Sequence, residues 1–226
     1  ADVDNDGDMD LICGNLGTNS KFKASYKKPF NVFSTDFDQN GTCDIVLSKD
    51  YKGKLVPTRG RQCSSEQMPF IKEKFPTYKD FATAGLEDIL GKEKLKKALH
   101  LQVTDFESKI LINNGDGTFT AKALPRLAQV SPINGIIVKD LNQDGNIDLV
   151  IAGNMYNTEV ETPRYDAGTG LILMGKGNGD FDAIPSGKSG LYAADNVKDI
   201  AWVRKKNGAM ILVANNNAAP EVFEVL

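Results

Sequence analysis

Three short segments, "DVDNDGDMD" from Asp2, "DFDQNGTCD" from Asp36 and "DLNQDGNID" from Asp140, share the pattern D-x-[DN]-x-[DN]-G-x-x-D. Each sets oxygen-bearing side chains at positions 1, 3, 5 and 9. The glycine at position 6 (Gly7, Gly41, Gly145) permits the positive φ that folds such a loop back on itself. In the first segment Asp2, Asp4, Asp6, Asp8 and Asp10 occupy every second position, a row of carboxylates that repels itself unless a cation fills the space between them. Calcium suits this arrangement, being a hard ion that takes about six to eight oxygens from side chains, backbone and water. An EF-hand would need a bidentate Glu at the twelfth position and a helix on either side. Here the twelfth residues are Cys13, Leu47 and Ile151, and each loop runs into an apolar, β-branched stretch ("LIC", "IVL", "LVIA") that reads as a buried strand. The loops are therefore expected to join strands of β-hairpins.

The 226 residues, 41% hydrophobic with net charge −3, are enough to bury a substantial core. Basic and acidic residues nearly balance and no long basic run occurs, which excludes the electrostatic footprint of a nucleic-acid binder. No apolar run approaches the roughly 20 residues of a membrane helix. Cys13, Cys43 and Cys63 show no C-x-x-C spacing, which argues against zinc and a dense disulfide framework while leaving a single disulfide open. His100 is the only histidine and reads as a solvated or helix-end residue. The first residue already sits at the edge of a motif, so the chain is expected to be a segment of a longer protein.

A second element recurs: "ILINNGDGTFTA", with Phe119, and "LILMGKGNGDFDA", with Phe181, are each an apolar strand, a glycine-rich turn and an aromatic opening the next strand. Together the two elements define units of about 60 residues, read as 1–30, 31–119, 120–181 and 182–226, with an insertion at about 50–103 in the second. The paired elements resemble the FG-GAP and VCBS repeats of integrin-α-like β-propellers, including repeat proteins of bacterial surfaces and secretions. That resemblance implies an all-β chain of about four propeller blades in an incomplete ring, with calcium in the hairpin between the first two strands of a blade. It implies up to three calcium sites with side-chain ligands Asp2, Asp4, Asp6 and Asp10; Asp36, Asp38, Asn40 and Asp44; and Asp140, Asn142, Asp144 and Asp148. Position 7 (Asp8, Thr42, Asn146) would supply a backbone carbonyl, leaving the Asp8 side chain a bystander. An open part-ring exposes apolar faces, so the rest of a parent propeller, or self-association, is expected to cover them.

The last unit replaces the acidic loop with Arg204, Lys205, Lys206, Asn207 and Gly208, a tight turn that would repel a cation. Within the insertion, Leu86, Ile89, Leu90, Leu95 and Leu99 recur at helical period and Thr77 with Asp80 reads as a cap. This predicts a small helical cap emerging on the side away from the calcium hairpins. The connection from Asn154 to Gly170 is also long and carries Tyr156, Arg164 and Tyr165, candidate ligand-binding residues. The function expected is non-catalytic: a calcium-stabilised module of an extracytoplasmic protein that binds a protein or a glycan. The alternatives are a structural spacer, or part of a polysaccharide lyase or hydrolase whose candidate residues are Glu159, Glu161, Arg164, Tyr165 and Asp166.

Overall fold

Runs of β-branched and aromatic residues punctuated by glycine turns become strands throughout. The computed structural model describes residues 1–225. In chain order the strands begin with β1 (Leu11–Cys13), β2 (Phe30–Thr35), β3 (Asp44–Tyr51) and β4 (Lys54–Pro57). Five short helices follow: α1 (Arg61–Gln67), α2 (Phe70–Lys74), α3 (Tyr78–Thr83), α4 (Leu86–Leu90) and α5 (Lys92–Lys97). Then come β5 (Leu99–Val103), β6 (Lys109–Asn113), β7 (Phe119–Ala123), β8 (Gly135–Lys139), β9 (Asp148–Ala152), β10 (Leu171–Gly175) and β11 (Phe181–Pro185). The last strands are β12 (Val197–Arg204), β13 (Ala209–Asn215) and β14 (Glu221–Val225). The chain is all-β in class, with four antiparallel sheets ordered β1-β6-β7, β11-β10-β9-β8, β12-β13-β14 and β4-β3-β2-β5. No helix among the described residues is long and apolar enough to cross a membrane.

Two compact units result, one formed by Ala1–Lys21 with the chain from Phe106 onward, the other by Phe22–Asp105. The first unit holds three sheets with their faces packed together. Its middle sheet explains the run "LVIA": Leu149 and Ile151 join Leu171, Leu173, Ile110 and Phe181 in one core, while Val150 and Ala152 join Val197, Ile200, Ile211 and Val213 in another. A strand buried on both faces has no solvated positions, which is why its apolar residues are continuous and not alternating. Backbones approach closely at two glycines here. A Cβ on Gly153 would lie 2.2 Å from the Pro132 carbonyl oxygen, and one on Gly175 would lie 2.1 Å from that of Ile147.

The outer faces of this stack stay open among the described residues. Leu11 and Phe119 on the first sheet are 50% and 47% exposed, and Val222 on the last is 53% exposed.

Strand pairing departs from the division at residues 30 and 119 expected from the repeat spacing. β1 pairs not with a neighbour in sequence but with β6, Leu11 opposite Leu111. The "NNGDGTF" hairpin of β6 and β7 thus completes the sheet that follows the first acidic loop, and the second acidic loop lies in the other unit. The second unit, 22–105, thus has its own sheet as well as the helices.

In that second unit the helices cover the sheet face bearing Phe33 and Val46, and share one core with Phe37, the second residue of its acidic loop. Lys94 Nζ also donates to the Phe37 carbonyl at 2.6 Å. The helices thus pack alongside the loop-bearing hairpin, where the sequence predicted a cap on the far side from it. The Thr77 cap is present, Asp80 N donating to Thr77 Oγ1 at 3.1 Å. His100 lies on β5, at a strand and not a helix end, stacked on Phe33 at 4.2 Å between ring centroids and bonded to Asn31 Oδ1 at 2.8 Å. All three cysteines are free.

Candidate metal centre

The three acidic loops adopt one backbone conformation. Position 4 takes a left-handed φ in each (Asn5 63°, Gln39 64°, Gln143 63°), as does the glycine at position 6 (96°, 89°, 89°). This turn aims the position 6 N–H at one oxygen of position 1, giving bonds from Gly7 to Asp2 at 3.0 Å, Gly41 to Asp36 at 2.9 Å and Gly145 to Asp140 at 3.0 Å. The position 7 N–H likewise donates to the side-chain oxygen of position 5, from Asp8 to Asp6, Thr42 to Asn40 and Asn146 to Asp144, each at 2.8 Å.

Position 9 has a structural role that its spacing did not reveal. Asp10, Asp44 and Asp148 are 3%, 2% and 0% exposed, and each accepts from the position 2 N–H (Val3, Phe37, Leu141) at 2.8 Å. The other carboxylate oxygen reaches a different element. Asp10 accepts from Asn113 N at 2.8 Å and Asp148 from Gly175 N at 2.7 Å, tying each loop to the end of the strand after its hairpin. In the second unit the Gln67 side chain on α1 takes that place on Asp44, at 3.1 Å.

What remains points inward. Oxygens of Asp2, Asp4 and Asp10 lie within 4.8 Å of one another, as do those of Asp36, Asp38 and Asp44. Asp2 Oδ1 and Asp4 Oδ1 are buried with no hydrogen-bond donor. Burial first, and then the charges of Asp6, Asp10 and Asp2, push the Asp4 carboxyl above its ordinary range. A cluster of mutually repelling carboxylates that includes two oxygens without donors could hold a metal ion. In the second loop the Gly41 N–H, above all, holds the Asp36 carboxyl below the usual range. The third loop has Asn142 in place of the middle carboxylate. Its Nδ2 donates to Asp144 at 2.9 Å, and the three-carboxylate convergence seen in the other two loops is absent among the described residues. Asp6, Asn40, Thr42 and Asn146 stand in the loop turns, Asn146 Oδ1 accepting from Asn5 Nδ2 at 3.0 Å to join the first and third loops. The Asp8 carboxylate leans toward the neighbouring hairpin, where a Cβ on Gly115 would meet it at 2.9 Å.

The long connection folds on itself. Met155 and Tyr165 pair as an antiparallel bridge, and the Arg164 guanidinium sits 4.0 Å from the centre of the Tyr156 ring while also pairing with Asp166 at 3.1 Å. The structure thus brings Tyr156 and Arg164 together, whereas Tyr165 is 7% exposed with its hydroxyl 2.9 Å from Ser20 Oγ. Burial raises the Glu159 carboxyl, but hydrogen bonds from Thr162 and Lys21 outweigh it and leave the group below its usual range.

One residue that sequence reasoning passed over organises this region. Asn154, 0% exposed, donates to the carbonyls of Gly168, Ala194 and Asp195 and accepts from Gly168 N and Ser131 Oγ. The only signal for it was a polar residue directly after "LVIAG". No protein-family model matches the chain, and no curated protein matches its sequence.

Proposed function

We propose that the chain is a calcium-stabilised, non-catalytic β-module of an extracytoplasmic protein, built from FG-GAP/VCBS-like blades, that binds a protein or a glycan. The observation that carries this reading is the pair of buried, donorless oxygens on Asp2 and Asp4 inside a loop whose backbone scheme recurs twice more. Calcium would supply the positive charge that these oxygens lack, held by Asp2, Asp4, Asp6 and Asp10, by Asp36, Asp38, Asn40 and Asp44, and by Asp140, Asn142, Asp144 and Asp148. Position 7 (Asp8, Thr42, Asn146) would contribute its carbonyl. The open apolar outer faces of the three-sheet stack support its continuation by further sheets of a parent propeller, or by a second copy.

A glycosidase reading finds less support. A general acid needs a raised pKa, and Glu159 is lowered, while Asp166 is paired with Arg164.

Unfolding monitored in excess EDTA and in millimolar calcium, with magnesium as control, tests the metal. Calcium at about 100 times its Kd is expected to stabilise by about 2.7 kcal/mol per site, raising the midpoint where magnesium does not. An unchanged midpoint at saturating calcium would remove the reading's main support. By calorimetric titration, Asp4→Asn is expected to weaken the first site about tenfold or more, because ligand charge sets affinity in such loops, while Asp8→Asn leaves it within about twofold. Equal losses in the two variants would show that charge, and not the loop's ligand set, attracts the ion.

A further inference from the structure

A cavity of about 450 Å³ lies beside the long connection, lined by Tyr156, Asn157, Asp195, Asn196, Asn216 and Asn217. We propose that it binds a neutral saccharide, an inference that rests on the glycan arm of the reading above and gives it a place.

The volume falls within the range of small-ligand sites, but the lining is polar where most such sites are apolar. Its chemistry narrows the ligand. No lysine or arginine lines it and one carboxylate does, so an anion is disfavoured. A single carboxylate is also too few for a divalent cation. Four asparagine amides, each both donor and acceptor, with one acceptor carboxylate suit a neutral ligand whose neighbouring atoms both donate and accept, as the adjacent hydroxyls of a sugar do.

Asn196 gives the decisive detail. The residue is 3% exposed, and its Oδ1 accepts from Tyr156 N at 3.4 Å. Its Nδ2 has no hydrogen-bond partner among the described residues and is not sealed from solvent, and the residue lines the cavity. In a residue so nearly buried, the acceptor for that nitrogen is left to a ligand or water in the cavity.

The frame around it is fixed. Asn154 Nδ2 holds the carbonyls of Ala194 and Asp195 at 3.0 and 2.9 Å, Tyr156 Oη holds Ala194 O at 3.0 Å, and Asn216 N donates to Asn196 O at 3.0 Å. Preorganised groups lose little entropy on binding. The Tyr156 ring is covered on one side by Arg164, which stiffens the wall.

The test uses the whole chain with isotope-labelled asparagine side-chain amides, at saturating calcium, titrated with lactose, cellobiose and maltose and, separately, with a blocked dipeptide. The expected result is a saturable shift of the Asn196 and Asn216 amides with at least one disaccharide. Asp195→Ala and Asn216→Ala, both at exposed positions, should weaken it about tenfold with the thermal midpoint unchanged. Three results would overturn the inference: no saturable shift with any disaccharide, shifts that persist in both variants, or a response to the dipeptide alone. Because calcium stays saturating and the midpoint is followed in parallel, each of these leaves the calcium reading standing. Saccharide binding without calcium-dependent stability would sink only the latter.

Discussion

Asp148→Ala is expected to lower the stability of the unit that contains it by about 2 to 6 kcal/mol, at roughly 1 to 3 kcal/mol for each buried donor left without an acceptor. The donors are Leu141 N and Gly175 N, which the fully buried carboxylate brackets at 2.8 and 2.7 Å. For a unit of this size that corresponds to a fall in midpoint on the order of 10 °C. The distinguishing feature is the part of the loss that needs no metal. A destabilisation of this size should remain in EDTA, because the bonds broken there are between protein groups, and in calcium the loss of a ligand at the proposed site should add to it. Asp140→Asn, by contrast, keeps one oxygen for Gly145 N and loses only the exposed bonds from Gln143 N and Asp144 N, so its effect in EDTA should be small beside its effect in calcium. If Asp148→Ala were silent in EDTA, the bracketing role assigned to position 9 would be wrong.

The second large effect is expected at Asn154. Replacing it by alanine strips partners from groups on three separate segments, the Gly168 peptide, the Ala194 and Asp195 carbonyls and the Ser131 hydroxyl. Ala194 O keeps Tyr156 Oη, Asp195 O keeps Val197 N and the Ser131 hydroxyl keeps Gly153 O, so the orphaned groups are the Gly168 N–H and carbonyl, and a cost of about 2 to 6 kcal/mol follows at the same rate per group. Asn154→Asp should be little better, since it would set a carboxylate against three carbonyl oxygens. Limited proteolysis provides the check beyond stability: with its anchor gone, the connection from 154 to 170 should be cut faster than any strand. Cleavage confined to other loops would show that the bridge between Met155 and Tyr165 holds the connection by itself.

Much of this was readable from residue order because it is local. Loop, glycine and β-branched run follow one another within about a dozen residues, and β3 and β9 form where those runs stand. The turn at Gly208 (φ 90°) and the buried Leu86, Ile89 and Leu90 of α4 are equally local consequences of turn chemistry and helical period. What could not be read is which loop owns which hairpin. The closure cost of an intervening segment grows only with the logarithm of its length, so a chain can return to β1 from β6 almost as readily after 90 residues as after 30. Spacing alone attached "NNGDGTF" to the nearer loop, at Asp36, when it belongs with the one at Asp2. Position 9 was legible as a candidate ligand but not as a bracket, since its second partner comes from a distant strand. Asn196 gave no local signal, because its unpaired amide exists only in the context of Asn216 and Tyr156.

The middle sheet of the stack raises a problem of a different kind. In a strand with one wet face, a slip of one residue drives polar groups into the core, and that penalty enforces the pairing. β9 offers no such safeguard: moving Val150 into the seat of Leu149 only trades one apolar group for another. Its alignment must be set from outside the apolar run, by the Asp148 carboxylate at one end and the Asn154 amide just past the other. These two polar residues act as registration pins for a strand that could otherwise slide, and the acidic loop becomes part of how the chain finds a single pairing as it folds.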